Sequence, residues 1–152
     1  MRPGLPSMIQ PASSIRAAVL VPVFRREDGE LRVVLVRRGE RGPHGGQLAF
    51  PGGKCEPGDA SPLATALREA HEEVGIAPGQ VEILEPLPAI DTLTTGYLIF
   101  PFLARISAPA AWHCQEGEIA EVLVRPSESA VPREVGLAER EQVAKELSLI
   151  HI

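Results

Sequence analysis

Apolar residues follow two different rhythms along this chain. Residues Ile15–Phe24 (IRAAVLVPVF) are almost continuously apolar and rich in β-branched side chains, which predicts a β-strand. The charged stretch REDGE then supplies an Asp28-Gly29 turn into LRVVLVRR, so a hairpin is predicted. Shorter strand signals follow at Leu48–Phe50, Val81–Leu84, Gly96–Ile106 and Ile119–Val124. Between them the period changes. Leu63, Leu67, Ala70 and Val74 fall on one helical stripe suited to packing on a sheet. Ser61 suits the N-cap of that helix, Pro62 its first position and Gly75 the left-handed residue past its end. Glu134–Leu147 has helical periodicity again and closes the chain.

The alternation contains no repeat and no linker, and 152 residues suit one domain with a real core. We take residues 1–14 as a flexible leader and 15–152 as a single α/β domain. The leader, MRPGLPSMIQPASS, lacks the apolar stretch of a secretory signal. No apolar run approaches the length of a membrane span. A net charge of -5 argues against duplex nucleic acid as a partner, since phosphate backbones select basic surfaces. Cys55 and Cys114 lack metal-ligand spacing and read as reduced thiols of a cytoplasmic protein.

The candidate chemistry is concentrated in GGKCEPGDASPLATALREAHEEVGI, residues Gly52 to Ile76. Glu69, Glu72 and Glu73 stand at i, i+3 and i+4, lie away from the apolar stripe and therefore point out of the core. Carboxylates held so close repel one another until something neutralises them, and a divalent cation with oxygen ligands does so. Arg68 is placed to pair with Glu72 one turn later. The plainer alternative is a solvated acidic face. The Gly-Gly turn upstream, at a fixed offset, favours a metal-assisted phosphate site. Upstream of the glycines, LVRRGERGPHGGQLAF holds Arg37, Arg38, Arg41 and His44 beside Gly45-Gly46. Basic side chains near flexible glycines suit an anion, although a solvated basic loop reads the same way.

The first segment resembles the Nudix box, G-x5-E-x7-R-E-U-x-E-E-x-G-U, U being a bulky aliphatic residue. Arg68, Glu69, Glu72, Glu73, Gly75 and Ile76 are in register, with the small Ala70 at the first U. From Gly53, five residues lead to Asp59 in place of Glu, and eight residues in place of seven precede Arg68. The extra residue falls in the loop before the helix, where insertions are tolerated. Arg38, Arg41, Gly46, Phe50, Pro51, Gly52 and Gly53, then Lys54, Glu56 and Asp59, resemble the coenzyme A diphosphatase branch, which also has the longer gap. With AAVLVPVF, GYLIFPF and EIAEV, the likeness covers about residues 16–126.

The resemblance implies a Nudix α/β/α sandwich, a mixed sheet between helices. It implies hydrolysis of the diphosphate of a small nucleotide derivative with Mg2+ or Mn2+. Coenzyme A is the leading substrate, giving 4'-phosphopantetheine and adenosine 3',5'-bisphosphate. ADP-ribose, NADH or an oxidised nucleotide are alternatives, and so is a nucleotide-sensing domain without catalysis. By resemblance, Glu69, Glu72, Glu73 and the Gly52 carbonyl bind metal, Arg68 orients a glutamate, and a later acid, Glu116 or Glu118, finishes the metal shell or activates water. Arg37, Arg38, Arg41, His44 and Lys54 are the substrate-binding candidates, and relatives often form homodimers. His71, at a variable position of the box, reads as a helix-flank residue. Trp112 either stacks on a base or anchors a loop.

Overall fold

The structure, a computed structural model, describes residues 15–40, 45–92 and 96–126. The leader, Arg41, His44 and the helix expected at Glu134–Leu147 lie outside the described residues. In chain order the described elements are β1 (Ile15–Arg25), β2 (Leu31–Arg38), β3 (Leu48–Ala49), β4 (Gly52–Lys54), α1 (Pro62–Val74), β5 (Val81–Pro86), β6 (Ile90–Thr92), β7 (Tyr97–Ile106) and β8 (Ile119–Pro126).

The eight strands form one mixed sheet, with β3, β2, β1, β7 and β5 in order along it. β1 pairs parallel with β7 over the whole register from Ile15↔Tyr97 to Val23↔Arg105. β2 closes antiparallel on β1 through the expected turn, where Gly29 has φ 84° and the Asp28 carboxylate accepts from the Glu30 amide at 2.8 Å. β4 and β6 depart from the sequence reading. The two glycines, expected in a loop, form a strand against the start of β1, and Ile90–Thr92 pairs with β7. A three-residue strand takes its partner from tertiary context and has no periodicity of its own to read.

Alternation along the strands separates two cores. Ala18, Leu20, Val34 and Val36 face α1, where Ala66, Ala70, Val74 and Ile76 meet them. Val19, Val21, Val33, Leu35, Phe50 and Leu103 fill the other side. The α1 caps are as the sequence predicts. Ser61 accepts from the Ala64 amide at 3.1 Å, Pro62 leads, and Gly75 ends the helix at φ 81°. The stripe is rotated, however: Thr65, Ala66, Ala70, Glu73 and Val74 are buried, while Leu63 and Leu67 are half-buried. Small residues at 66 and 70 let the helix approach the sheet closely, and that approach rolls Glu73 inward.

Candidate functional site

α1 carries its carboxylates into the end of the sheet where β2 stops and β4 crosses β1. Of the three glutamates expected to point outward, only Glu72 does. Glu69 is half-buried, and Glu73 is buried at 4% exposure. Glu73 lies under the backbone of β4 and accepts from the Gly52 amide at 3.2 Å. The ladder explains why that amide is free to donate. Residues flanking it, Pro51 and Cys55, bond to β1 (Leu20 N to Pro51 O, Cys55 N to Arg16 O), so by alternation Gly52 turns its N–H and its C=O away from β1. At Gly53 an added Cβ would collide with the Glu69 carboxylate, and at Gly52 with the Ala18 carbonyl and Val19. Each glycine is required because backbone and carboxylate, or backbone and backbone, already touch.

The electrostatics follow from this packing. Burial pushes Glu73 up to about 8; Glu69 adds to the rise, while Arg38 and the Gly52 amide oppose it. Burial likewise pushes Glu69 up to about 7, against the pull of Arg68, with Glu72 and Glu56 adding repulsion. Two protonatable carboxylates one helical turn apart form a site short of positive charge.

Arg68 pairs with Glu72 at 3.1 Å as the spacing predicts, but its main anchor is Asp59. Nε and Nη2 reach the two Asp59 oxygens at 2.9 and 3.0 Å, a bidentate fork. Asp59 also accepts from the Thr65 hydroxyl at 2.7 Å and the Glu56 amide at 2.9 Å. These donors hold the Asp59 carboxyl well below the ordinary carboxylate range, Arg68 first among them. Arg68 also touches Glu69 at 3.3 Å. The loop-to-helix fork spans nine residues and has no i,i+4 signature. Its one sequence signal was the acid at position 59.

A third element completes the surround. The segment after β7 is pinned to the end of α1, His113 N bonding Val74 O at 3.1 Å and Gln115 N bonding Glu73 O at 3.0 Å. It then turns at Gly117 (φ 81°), where the Glu118 carbonyl accepts from Gly39 N at 2.8 Å. Glu118 is thereby brought within electrostatic reach of Glu73. Glu116 is exposed on the same turn. Trp112 packs against the α1-side core, which makes it a loop anchor.

The basic candidates separate. Arg38 lies on the α1 face of β2 and acts on both Glu69 and Glu73. Arg37, its neighbour, points to the opposite face, where Nε reaches Glu121 at 2.9 Å and Nη1 reaches Gly46 O at 3.3 Å. The expected basic group is thus split by strand alternation, which sends adjacent residues to opposite faces. Arg37 ties β2 to β8. Lys54 is exposed on β4 and His71 on α1. Cys55 and Cys114 are both free thiols.

Among the described residues, no three acidic, His or Cys side chains already form a group able to hold a metal ion. The carboxylates are turned to Arg68 and the Gly52 amide. The donor set nevertheless fits a hard cation, because crowded carboxylates and an outward-facing carbonyl are its ligands and its charge would relieve their raised proton affinity. No helix among the described residues is long and apolar enough to cross a membrane.

Comparison with known proteins agrees with this geometry. A family profile described as NUDIX domain matches residues 14–146. A protein of Enterobacter sp. (strain 638) called "Uncharacterized Nudix hydrolase NudL" is 43% identical over 116 residues, covering 76% of this chain and 59% of its own length. The chain thus spans somewhat over half the length of that relative. Among solved structures, a C. elegans Ap4A hydrolase in a binary complex superposes with TM-score 0.73 at 21% identity, over 88% of this chain and 96% of that one. The NUDIX domain of Shewanella oneidensis NrtR, complexed with ADP ribose, superposes at 0.69 with 19% identity, over 97% and 99%. These likenesses establish the α/β/α fold.

Proposed function

Because this chain belongs to the Nudix hydrolase family, we propose that it hydrolyses the diphosphate of a small nucleotide derivative, with coenzyme A or a close derivative as leading substrate. The observation that carries the reading is the pair Glu69 and Glu73, held under the Gly52–Gly53 backbone with raised proton affinity, beside Arg38 and Glu118. Glu69, Glu72, Glu73 and the Gly52 carbonyl would hold Mg2+ or Mn2+, which when bound offsets the charge of the diphosphate and stabilises the leaving phosphate.

The chain's own residues do the remaining work. Asp59 fixes Arg68, and Arg68 holds Glu72 and Glu69 in place. Arg38 offers a guanidinium to the diphosphate, where its fork matches phosphate oxygens. Of the two late acids, Glu118, whose charge reaches Glu73, would take the proton of the attacking water as the water oxygen bonds to phosphorus and the bridging P–O bond breaks. From coenzyme A the products are 4'-phosphopantetheine and adenosine 3',5'-bisphosphate. Branch membership rests on the motif around Phe50–Gly53, Lys54 and Asp59. A cytoplasmic setting and a homodimer belong to the same proposal.

The test is product analysis on a panel of coenzyme A, dephospho-coenzyme A, ADP-ribose, NADH and oxidised nucleotides, with magnesium and with manganese. Fastest turnover of coenzyme A supports the full reading. Faster cleavage of ADP-ribose would sink the coenzyme A assignment and leave the chemistry. No cleavage of any member, alongside tight nucleotide binding, would favour a sensor.

A further inference from the structure

Two polar side chains are buried among the described residues, Glu73 and Thr65. Thr65 stands four residues before Glu69 and eight before Glu73, on the same face of α1. A hydroxyl with no exposure costs stability unless its hydrogen is donated. Thr65 Oγ1 lies 2.7 Å from Asp59 Oδ2 and 3.4 Å from the Ser61 carbonyl. A threonine inside a helix ordinarily donates back to the carbonyl four residues earlier. Here the Ser61 carbonyl already accepts from the Thr65 amide at 3.1 Å, and the charged acceptor lies at the usual hydroxyl distance. The single hydroxyl hydrogen therefore goes to Asp59.

Among the described residues Asp59 accepts from Arg68, Glu56 and Thr65. The Glu56 amide belongs to the same loop and closes a turn with Asp59, whose own amide donates to Glu56 O at 2.9 Å. That contact ties the loop to itself. Arg68 is the group being placed, so it cannot also serve as the reference. Thr65 is the donor that fixes the Asp59 carboxylate to α1 independently of Arg68. With Nε and Nη2 committed to Asp59, Arg68 turns Nη1 to Glu69 at 3.3 Å and Glu72 at 3.1 Å.

We propose that Thr65 is a positioning residue of the hydrolytic site, its hydroxyl orienting the Asp59 carboxylate that sets Arg68 and, through it, Glu69 and Glu72. The kinetic consequence rests on the hydrolase reading; the orientation of Arg68 does not.

Thr65→Val keeps the shape of the side chain and removes the hydroxyl, whereas Thr65→Ser keeps the hydroxyl and removes a methyl. A residue needed only for packing would make activity follow stability, and a positioning hydroxyl reverses that order. Thr65→Val should melt within a few degrees of the parent. With magnesium and the fastest substrate of the nucleotide panel, it should lower kcat about tenfold and change KM by less than about twofold. Thr65→Ser should melt a few degrees lower, since a buried methyl is lost, and keep kcat within about twofold of the parent. A readout without turnover separates this inference from the hydrolase reading. In the metal-free, isotope-labelled chain, the Arg68 Nε–H should exchange with water about tenfold faster in Thr65→Val and at the parent rate in Thr65→Ser. If Thr65→Val does not fold, Thr65→Ala against Thr65→Ser makes the same comparison. In an active chain, parent-like kcat or parent-like Arg68 exchange in the hydroxyl-free variant would overturn the proposal. So would a Thr65→Ser variant that loses as much kcat as Thr65→Val. Faster Arg68 exchange in a chain that cleaves no member of the panel would support the positioning and sink the hydrolase reading instead.

Discussion

Burying a carboxylate with one neutral donor, as Glu73 is buried with the Gly52 amide, favours its protonated form and makes stability depend on pH. The ordinary value is 4.5 and the folded value about 8, so between them the folded metal-free protein holds a proton that the unfolded chain releases. Stability therefore falls as pH rises through that window. Thermal melts in EDTA should show the decline, and Glu73→Gln should flatten it and melt higher than the parent at pH 8. Magnesium should raise the parent's melting temperature more at pH 8 than at pH 6, because it binds the deprotonated acids. Turnover of Glu73→Gln should drop by orders of magnitude. A parent Tm independent of pH in EDTA would show that the carboxylate is not desolvated as described. Asp59 acts differently, through Arg68. Asp59→Asn should remove the charged fork, lower kcat about tenfold or more and leave KM less affected, since Glu69 and Glu72 lose their brace. Unchanged kcat would remove Arg68 from a positioning role.

Neighbouring glycines of one short element are required for different reasons, and that difference is measurable. In β4, a methyl at Gly52 would meet the Ala18 carbonyl and the Val19 backbone, atoms of the central strand that cannot move alone. Gly52→Ala should destabilise by roughly 1–3 kcal/mol, as overpacking does. A methyl at Gly53 would meet the end of the Glu69 side chain, which can swing away. Gly53→Ala should leave the melting temperature within a few degrees and still cost activity, because the displaced carboxylate leaves the cluster. Equal stability losses in both variants would contradict the contacts. At the start of α1, Ser61→Ala should cost about 1 kcal/mol without changing KM, since the cap orders only the first turn.

Convergence of β2, α1 and the segment before β8 makes Arg38 a property of the whole molecule. It acts on Glu69 and Glu73, while Arg37 is turned to Glu121 on the far face. Its charge reaches those carboxylates, which favours a role toward the diphosphate over a remote 3'-phosphate. Arg38→Ala should therefore reduce kcat/KM for coenzyme A and for dephospho-coenzyme A by similar factors, about ten- to a hundredfold. A loss confined to coenzyme A would assign Arg38 to the 3'-phosphate instead. Arg37→Ala should change kinetics little and stability slightly, as exposed pairs do.

Local chemistry was legible in the chain alone. Ser61, Pro62 and Gly75 mark the ends of α1 because capping and left-handed geometry are decided by the residue at the position. Asp28-Gly29 marks the hairpin for the same reason, and the glutamate spacing places three acids on one helix. Which acid is buried was not legible. The sequence predicts a stripe through Leu63 and Leu67, whereas close approach at Ala66 and Ala70 rolls Glu73 under Gly52. Strand alternation could have separated Arg37 from Arg38, but only the packing of α1 on the Val34 and Val36 side of β2 shows which face holds the glutamates. The Asp59 fork to Arg68 and the docking of Gln115 on Glu73 join residues nine and forty-two positions apart. Such contacts depend on how elements pack, and packing is a property of the folded chain that no local window contains.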